Sequence, residues 1–196
     1  MMYSSEIIGQ EPLKSQLKKM ISLNQVPHCQ MFIDSKGFGA LPLALYTAFG
    51  LLHGFRSIEK AENNGAPSKK LLEHPDLHFV FPVVNKASSS SKAISDDYKS
   101  TWDNFIVRHP YGSTQDWILQ LEAGNKQGII GVEEVIKIHN KMYLKAHNGG
   151  NKVMVVFGAD KLTENASNKL LKLLEEPPKK SFFLLVCDQT EGLLPT

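Results

Sequence analysis

The sequence predicts a three-layer α/β domain with a mostly parallel sheet. Three observations predict it. Apolar runs stand at 29–33, 77–84, 153–157 and 182–187, and the run at 153–157 is unbroken and rich in β-branched residues, as in a strand buried on both faces. Stretches of helical period stand between them, and strands alternating with helices build a parallel sheet covered on its faces. Residues 152–187, KVMVVFGADKLTENASNKLLKLLEEPPKKSFFLLVC, read as strand, loop, helix, double-proline stop and strand, a right-handed βαβ crossover. The expected order is α, β, α, β, insertion, α, β, α, β.

The chain has 196 residues, enough for one domain with a full core. Hydrophobic content of 42% and charged content of 21% are those of a globular protein. The net charge of +2 does not demand nucleic acid as a partner. Cys29 and Cys187 both lie in apolar runs, so buried free thiols in a reducing compartment are expected and a four-cysteine zinc site is excluded. The first residues, MMYSSEIIGQ, lack a basic stretch followed by an apolar core, so no secretory signal is read. No apolar run approaches the length of a membrane span. A cytoplasmic protein is expected.

Residues 11–23 form the first helix, with Leu13, Leu17, Met20 and Ile21 at helical spacing and Lys14, Lys18 and Lys19 on a solvated face. CQMFI, 29–33, is the first buried strand. DSKGFGAL follows, then the helical run PLALYTAFGLLHG, with Pro42 suited to its first turn and Gly54 to its end. Residues 56–73 are a polar connection with turn signals at Asn63-Asn64-Gly65 and Pro67. LHFVFPVV, 77–84, is the second strand; the nearby His74, Asp76 and His78 are too small a cluster for a metal site. Ser88 to Ser91 mark a loop. A helical insertion, about 86–128, carries Tyr98, Trp102, Phe105 and Ile106 on one face and Trp117, Ile118 and Leu121 on another, aromatics spaced for packing rather than for a cofactor. Residues 132–146 form an amphipathic helix through Val132, Val135, Ile136, Ile138, Met142 and Tyr143, ended by His147-Asn148-Gly149-Gly150. Thr163 caps the next helix, whose buried face is Ala166, Leu170, Leu173 and Leu174. Pro177-Pro178 stops it. Glu175 and Glu176 stand in its last turn, where the helix dipole disfavours each anion by about 0.3–1 kcal/mol. They read either as solvated carboxylates or, with Pro177, as a face for a partner. The chain ends at Leu193-Leu194-Pro195-Thr196 with no terminal element, as a piece of a longer protein would.

A nucleotide would bind after the first strand. A phosphate-binding loop needs G-x-x-x-x-G-K-[ST], with glycines that let amides wrap the phosphates, a lysine for their charge and a hydroxyl for magnesium. In that frame the chain has Asp34, Ser35, Lys36, Gly37, Phe38, Gly39, Ala40 and Leu41. Ala40 replaces the lysine, Leu41 the hydroxyl, and Asp34 brings a negative charge to a site for polyphosphate. After the third strand, where acids of a Walker B motif would hold magnesium, stand Phe157 and Gly158; Asp160 lies two residues on, off the strand axis. Val186 and Cys187 occupy the place of a polar sensor. The reading is a degenerate nucleotide site with no catalytic residue, no metal and no cofactor.

These residues carry a resemblance. IIGQEPLKSQL, VPHCQMFI, HPDLHFV, GGNKVMVVFGADKLTENASNKLLKLLEEPP and FFLLVCDQTEGLLPT, spread over nearly the whole chain, look like the AAA+ module of the bacterial clamp loader, and most like its delta-prime family of subunits. NASNK followed by LLKLLEEPP is the most specific of them. The residues Arg108-His109-Pro110-Tyr111 and GNKQGIIGVEEV resemble a longer bacterial variant. The resemblance implies a RecA-like core across 1–196, with the last core strand, the helical lid, the C-terminal collar and the segment bearing an arginine for a neighbour's ATP all outside this chain. The four-cysteine zinc module common in the family is missing from 51–73. It implies a stator-type subunit, not an enzyme by itself, within the DNA polymerase III holoenzyme. Its partners would be the gamma/tau and delta subunits and, through the assembly, the sliding clamp and primed DNA. Motor subunits of the gamma/tau type share LLKLLEEPP but keep a complete loop, so an active ATPase is the alternative that the loop disfavours. A nucleic-acid binder is another: Lys14, Lys18, Lys19, Lys36, Lys161, Lys169, Lys172, Lys179 and Lys180 would contact phosphates if they converge, with a steep salt dependence.

Overall fold

The computed structural model describes residues 6–34, 37–64, 68–85, 92–122, 124 and 126–189. Its strands are β1 (Cys29–Ile33), β2 (Leu77–Val80), β3 (Lys152–Phe157) and β4 (Ser181–Cys187). Its helices are α1 (Glu11–Ser22), α2 (Ala40–His53), α3 (Phe55–Asn63), α4 (Lys99–Arg108), α5 (Thr114–Gln120), α6 (Val132–Tyr143) and α7 (Glu164–Glu175). The sheet order is β1-β4-β3-β2 and every pair is parallel. Parallel neighbours need crossovers, and the helices supply them.

The period-2 geometry of the central strands sorts their side chains into two cores. Val153, Val155 and Phe157 of β3, with Leu184 and Val186 of β4, face α2, α3, α4 and α5. Met154 and Val156, with Phe183, Leu185 and Cys187, face α6 and α7. This is the expected three-layer arrangement. The α2 helix is apolar on nearly every side and buried from Leu41 to Leu51, as a helix under a sheet and beneath other helices must be. The α7 helix begins as read: the Thr163 hydroxyl accepts the Ala166 N–H, and Ala166, Leu170 and Leu173 are buried.

The structure corrects several expectations. Among the described residues the first strand pairs with β4 alone, which leaves Met31 44% and Ile33 54% exposed; the resemblance puts a further core strand outside this chain. The second strand stops at Val80, because Pro82 has no amide to donate; Val83 instead pairs with Ile129 in an isolated antiparallel bridge. The stretch read as a polar connection holds α3, anchored by Phe55 and Ile58. Lys14 is buried rather than solvated. It shares the inner face of α1 with Leu17, and its ammonium reaches the Ile7 carbonyl at 3.2 Å and Glu11 at 2.5 Å. Leu13 turns outward instead. On α6, Ile136 and Tyr143 are exposed while Glu134 is buried, its carboxylate accepting the Ser95 N–H and hydroxyl. That polar pair, absent from a hydrophobic pattern, ties α6 to the 3₁₀ turn Ser95–Tyr98 ahead of α4. Among the described residues no helix is long and apolar enough to cross a membrane.

Candidate functional site: the loop after β1

In a parallel sheet the loops after the strands gather at the strands' C-terminal ends, where ligands bind. Asp34 leaves β1 there, its N–H donating to the Cys187 carbonyl at 3.0 Å. Its carboxylate turns back into the loop and accepts the N–H groups of Gly39 at 2.6 Å and Ala40 at 3.2 Å. These amides open α2. They are orphan donors at the positive end of the helix dipole, the groups that would face a bound phosphate. Here the chain's own anion holds them. Ser35 and Lys36 lie outside the described residues. Phe38 points outward, 68% exposed, whereas Leu41 is buried beneath the helix start.

The turn between α4 and α5 lies over this loop. The Tyr111 carbonyl approaches Gly37 so closely that a Cβ there would sit 2.6 Å from its oxygen, and Gly37 has φ +71°. The space left between Asp34, Gly37, Leu41, Tyr111, Phe157 and Asp188 is a cavity of about 10 Å³. That is scarcely room for one water molecule.

The end of β3 is filled from the same side. Phe157 is buried, its ring 5.1 Å from Trp102 and 6.4 Å from Phe105 of α4. Trp102 also stacks on Phe81 at 4.4 Å and meets Trp117 of α5 edge-on at 5.1 Å. The Trp117 indole N–H donates to the Pro82 carbonyl at 2.8 Å. The aromatics pack, and what they pack against is Phe157, at the position where a Walker B motif would have an acid. At Gly158 a Cβ would meet Pro82 Cγ at 2.8 Å, with φ at +70°, so a carboxylate has no room at that position either.

Acids do occur nearby. Asp160 is drawn aside onto Lys161 at 2.6 Å, and its Oδ1 accepts the Asp188 N–H at 3.4 Å. Burial raises the pKa of Asp188, and the Asp160 charge adds to the shift. Burial and the same two carboxylates push the Cys187 thiol up to about 11, so it stays protonated. Among the described residues no group of His, Cys, Asp or Glu is arranged to hold a metal ion. In the cluster of His74, Asp76 and His78, His74 Nδ1 accepts the Asp76 N–H at 3.1 Å, and the Asp76 carboxylate accepts the His147 N–H at 2.8 Å.

Glu175, Glu176 and Pro177 stand at the other end of the sheet. The α7 helix starts after the C-terminal end of β3 and returns to the start of β4. Both glutamates are exposed. The His28 ring contacts the Leu174 carbonyl at 2.9 Å, tying the helix end to the start of β1. The candidate lysines do not converge. Lys14, Lys18 and Lys19 belong to the α1 layer and Lys169 and Lys172 to α7 on the opposite face. Lys18 pairs with Glu59, Lys161 with Asp160, and Lys180 donates to the Gly149 carbonyl at 2.9 Å; Lys36 is outside the described residues. Sequence reasoning missed Tyr111 as part of the site. Its only local signal is an aromatic beside Pro110 and Gly112 in a turn.

A parallel sheet whose first strand leads through a glycine-containing loop into a buried helix defines an α/β domain of the phosphate-loop class. A family model described as "DNA polymerase III, delta subunit" matches residues 9–196, and the chain belongs to that family, the one its motifs resemble. Similar proteins include the DNA polymerase III subunit delta' of Yersinia pestis, 46% identical over 43% of this chain and 25% of the relative. The subunit delta' of Bacillus subtilis is 27% identical over 92% of this chain and 42% of its own length. The chain thus spans less than half the length of these relatives. A solved structure of a DNA polymerase III gamma subunit-related protein from Thermotoga maritima matches 93% of this chain and 42% of its own, with 16% identity and a TM-score of 0.49, too loose a likeness to carry an argument.

Proposed function

We propose that this chain is a non-catalytic, stator-type subunit of a bacterial clamp loader. It helps to load the sliding clamp onto primed DNA through contacts with gamma/tau-type and delta-type subunits. The observation that carries this reading is the Asp34 carboxylate on the amides of Gly39 and Ala40. A triphosphate entering there would meet a fixed negative charge and would have to displace it. It would find no lysine at Ala40, no hydroxyl at Leu41 and no acid at Phe157 or Gly158. Family membership supports the clamp-loader part of the reading. Glu175, Glu176 and Pro177 are the candidate contact with an adjacent subunit: they are accessible, and the fold keeps two anions at a helix end where the dipole opposes them.

The test uses the full-length protein with magnesium and ATP. Calorimetry is expected to show no binding at concentrations that saturate a motor subunit, while the two proteins bind each other. The melting temperature is expected to stay flat, whereas ATP at a hundredfold over its Kd would add about 2.7 kcal/mol of stability. ATP turnover by this chain alone would overturn the reading.

A further inference from the structure

On the side that faces Phe157 the loop after β1 is closed by two different parts of the chain, while its other side lines the cavity between α1 and β1. Asp34 belongs to the loop itself. The second part comes from the turn at residues 109–113, and three observations concern it. The Tyr111 carbonyl lies against Gly37 where no side chain fits. The Tyr111 ring passes Gly39 so that a Cβ there would touch Cε1 at 3.6 Å. The Tyr111 hydroxyl accepts the N–H of Ile8 at 2.7 Å, a hydrogen bond across 103 positions of sequence. The turn is itself held from both sides. Phe105 of α4 sits in the aromatic cluster, and Gly112 donates to the His109 carbonyl at 2.9 Å. At the far side Ser113 and Asp116 form a reciprocal cap on α5, which also holds the Asp116 carboxyl below its usual range.

The geometry points to a strap. The turn between α4 and α5 closes over the degenerate loop, and Tyr111 is the catch that fastens it to the segment preceding α1. On this account the loop's glycine at position 37 is required by the strap and not by a phosphate. In a nucleotide-binding loop the glycine admits the backbone to the ligand; here it admits the Tyr111 carbonyl. The closed loop, the segment at Ile8 and the turn then open as one unit. Local opening of this kind is read by amide exchange. The inference rests on the closed loop of the proposed function but not on the assembly assigned to it.

The experiment is residue-resolved hydrogen exchange on the wild-type chain, Tyr111→Phe and Tyr111→Ala. Loss of one hydrogen bond makes exchange at Ile8 about fivefold faster in Tyr111→Phe. In Tyr111→Ala the amides of Gly39 and Ala40, held by Asp34, also speed up, while Ala166 and Leu170 in α7 keep their wild-type rates. Wild-type exchange at Ile8 in Tyr111→Phe would overturn the strap. So would acceleration that reaches α7 equally, since the tyrosine would then add only general stability. ATP binding by the wild-type chain would instead overturn the proposed function, so the two failures are distinguishable.

Discussion

At the C-terminal ends of the strands, the Asp34 carboxylate caps α2, Phe157 is wedged among Trp102 and Phe105, and Tyr111 lies over the loop. At the opposite end, α7 finishes in exposed Glu175 and Glu176, which carry no ion pair among the described residues. The first end turns its helix-start amides and the ring of Phe157 inward, and the open space beside it, about 640 Å³, lies between α1 and β1, where Leu13, Leu17, Met31 and Phe38 line it. The second end leaves charge on the surface that the fold does not use. The difference teaches that the end of β3 is closed by packing: Phe157 stands against Trp102 and Phe105 of α4, and the α4–α5 turn lies over the loop after β1.

The largest expected effect is at the end of β3. Trp102→Ala removes the ring that joins Phe81, Phe105, Trp117 and Phe157 and should cost about 3–5 kcal/mol in denaturant unfolding. A loss below about 1 kcal/mol would break the comparison, because α4 and α5 would then not be anchored at the end of β3.

A pH titration examines a site on neither side of the comparison. Burial, followed by the charge of Lys141, lowers the pKa of His78 to about 4, against an ordinary value of 6.5. Between those values the unfolded chain binds the proton and the folded chain does not, so stability should fall as pH drops from 6.5 towards 4. Roughly 2 kcal/mol is expected after allowing for partial exposure. His78→Gln should flatten this slope; an unchanged slope would assign it to other groups.

Asp34→Ala leaves two helix-start amides without their anion and should cost about 1–2 kcal/mol, with Asp34→Asn costing less because one acceptor oxygen remains. Equal stability of all three proteins would show that the carboxylate does not seal the loop. The smallest effect on stability belongs to the other end. Glu175→Gln with Glu176→Gln should stay within about 0.5 kcal/mol of wild type while weakening binding to a motor subunit. Unchanged affinity there would remove these residues from the interface.

Much of the fold was legible in the residues. The strands at β3 and β4 are long apolar runs between turn signals, and α7 announces itself through Thr163, its apolar spacing and Pro177-Pro178. Their local patterns agree with their tertiary surroundings. The misreadings have more than one cause. The second strand stops early for a local reason, the missing amide of Pro82. The burial of Lys14 and Glu134 depends on the Ile7 carbonyl and Ser95, polar partners that hydrophobic period does not weigh.

The sequence by itself determined the class of domain, the order of its elements and the missing lysine, hydroxyl and acids of the loop. These are matters of residue identity and short-range spacing, which the chain states directly. Only the tertiary structure decided that the loop is occupied, by Asp34 from within and Tyr111 from above. The physical reason is that filling a site is a property of space: Tyr111 meets Ile8 and Gly37 only after the sheet has brought three separate segments to one end.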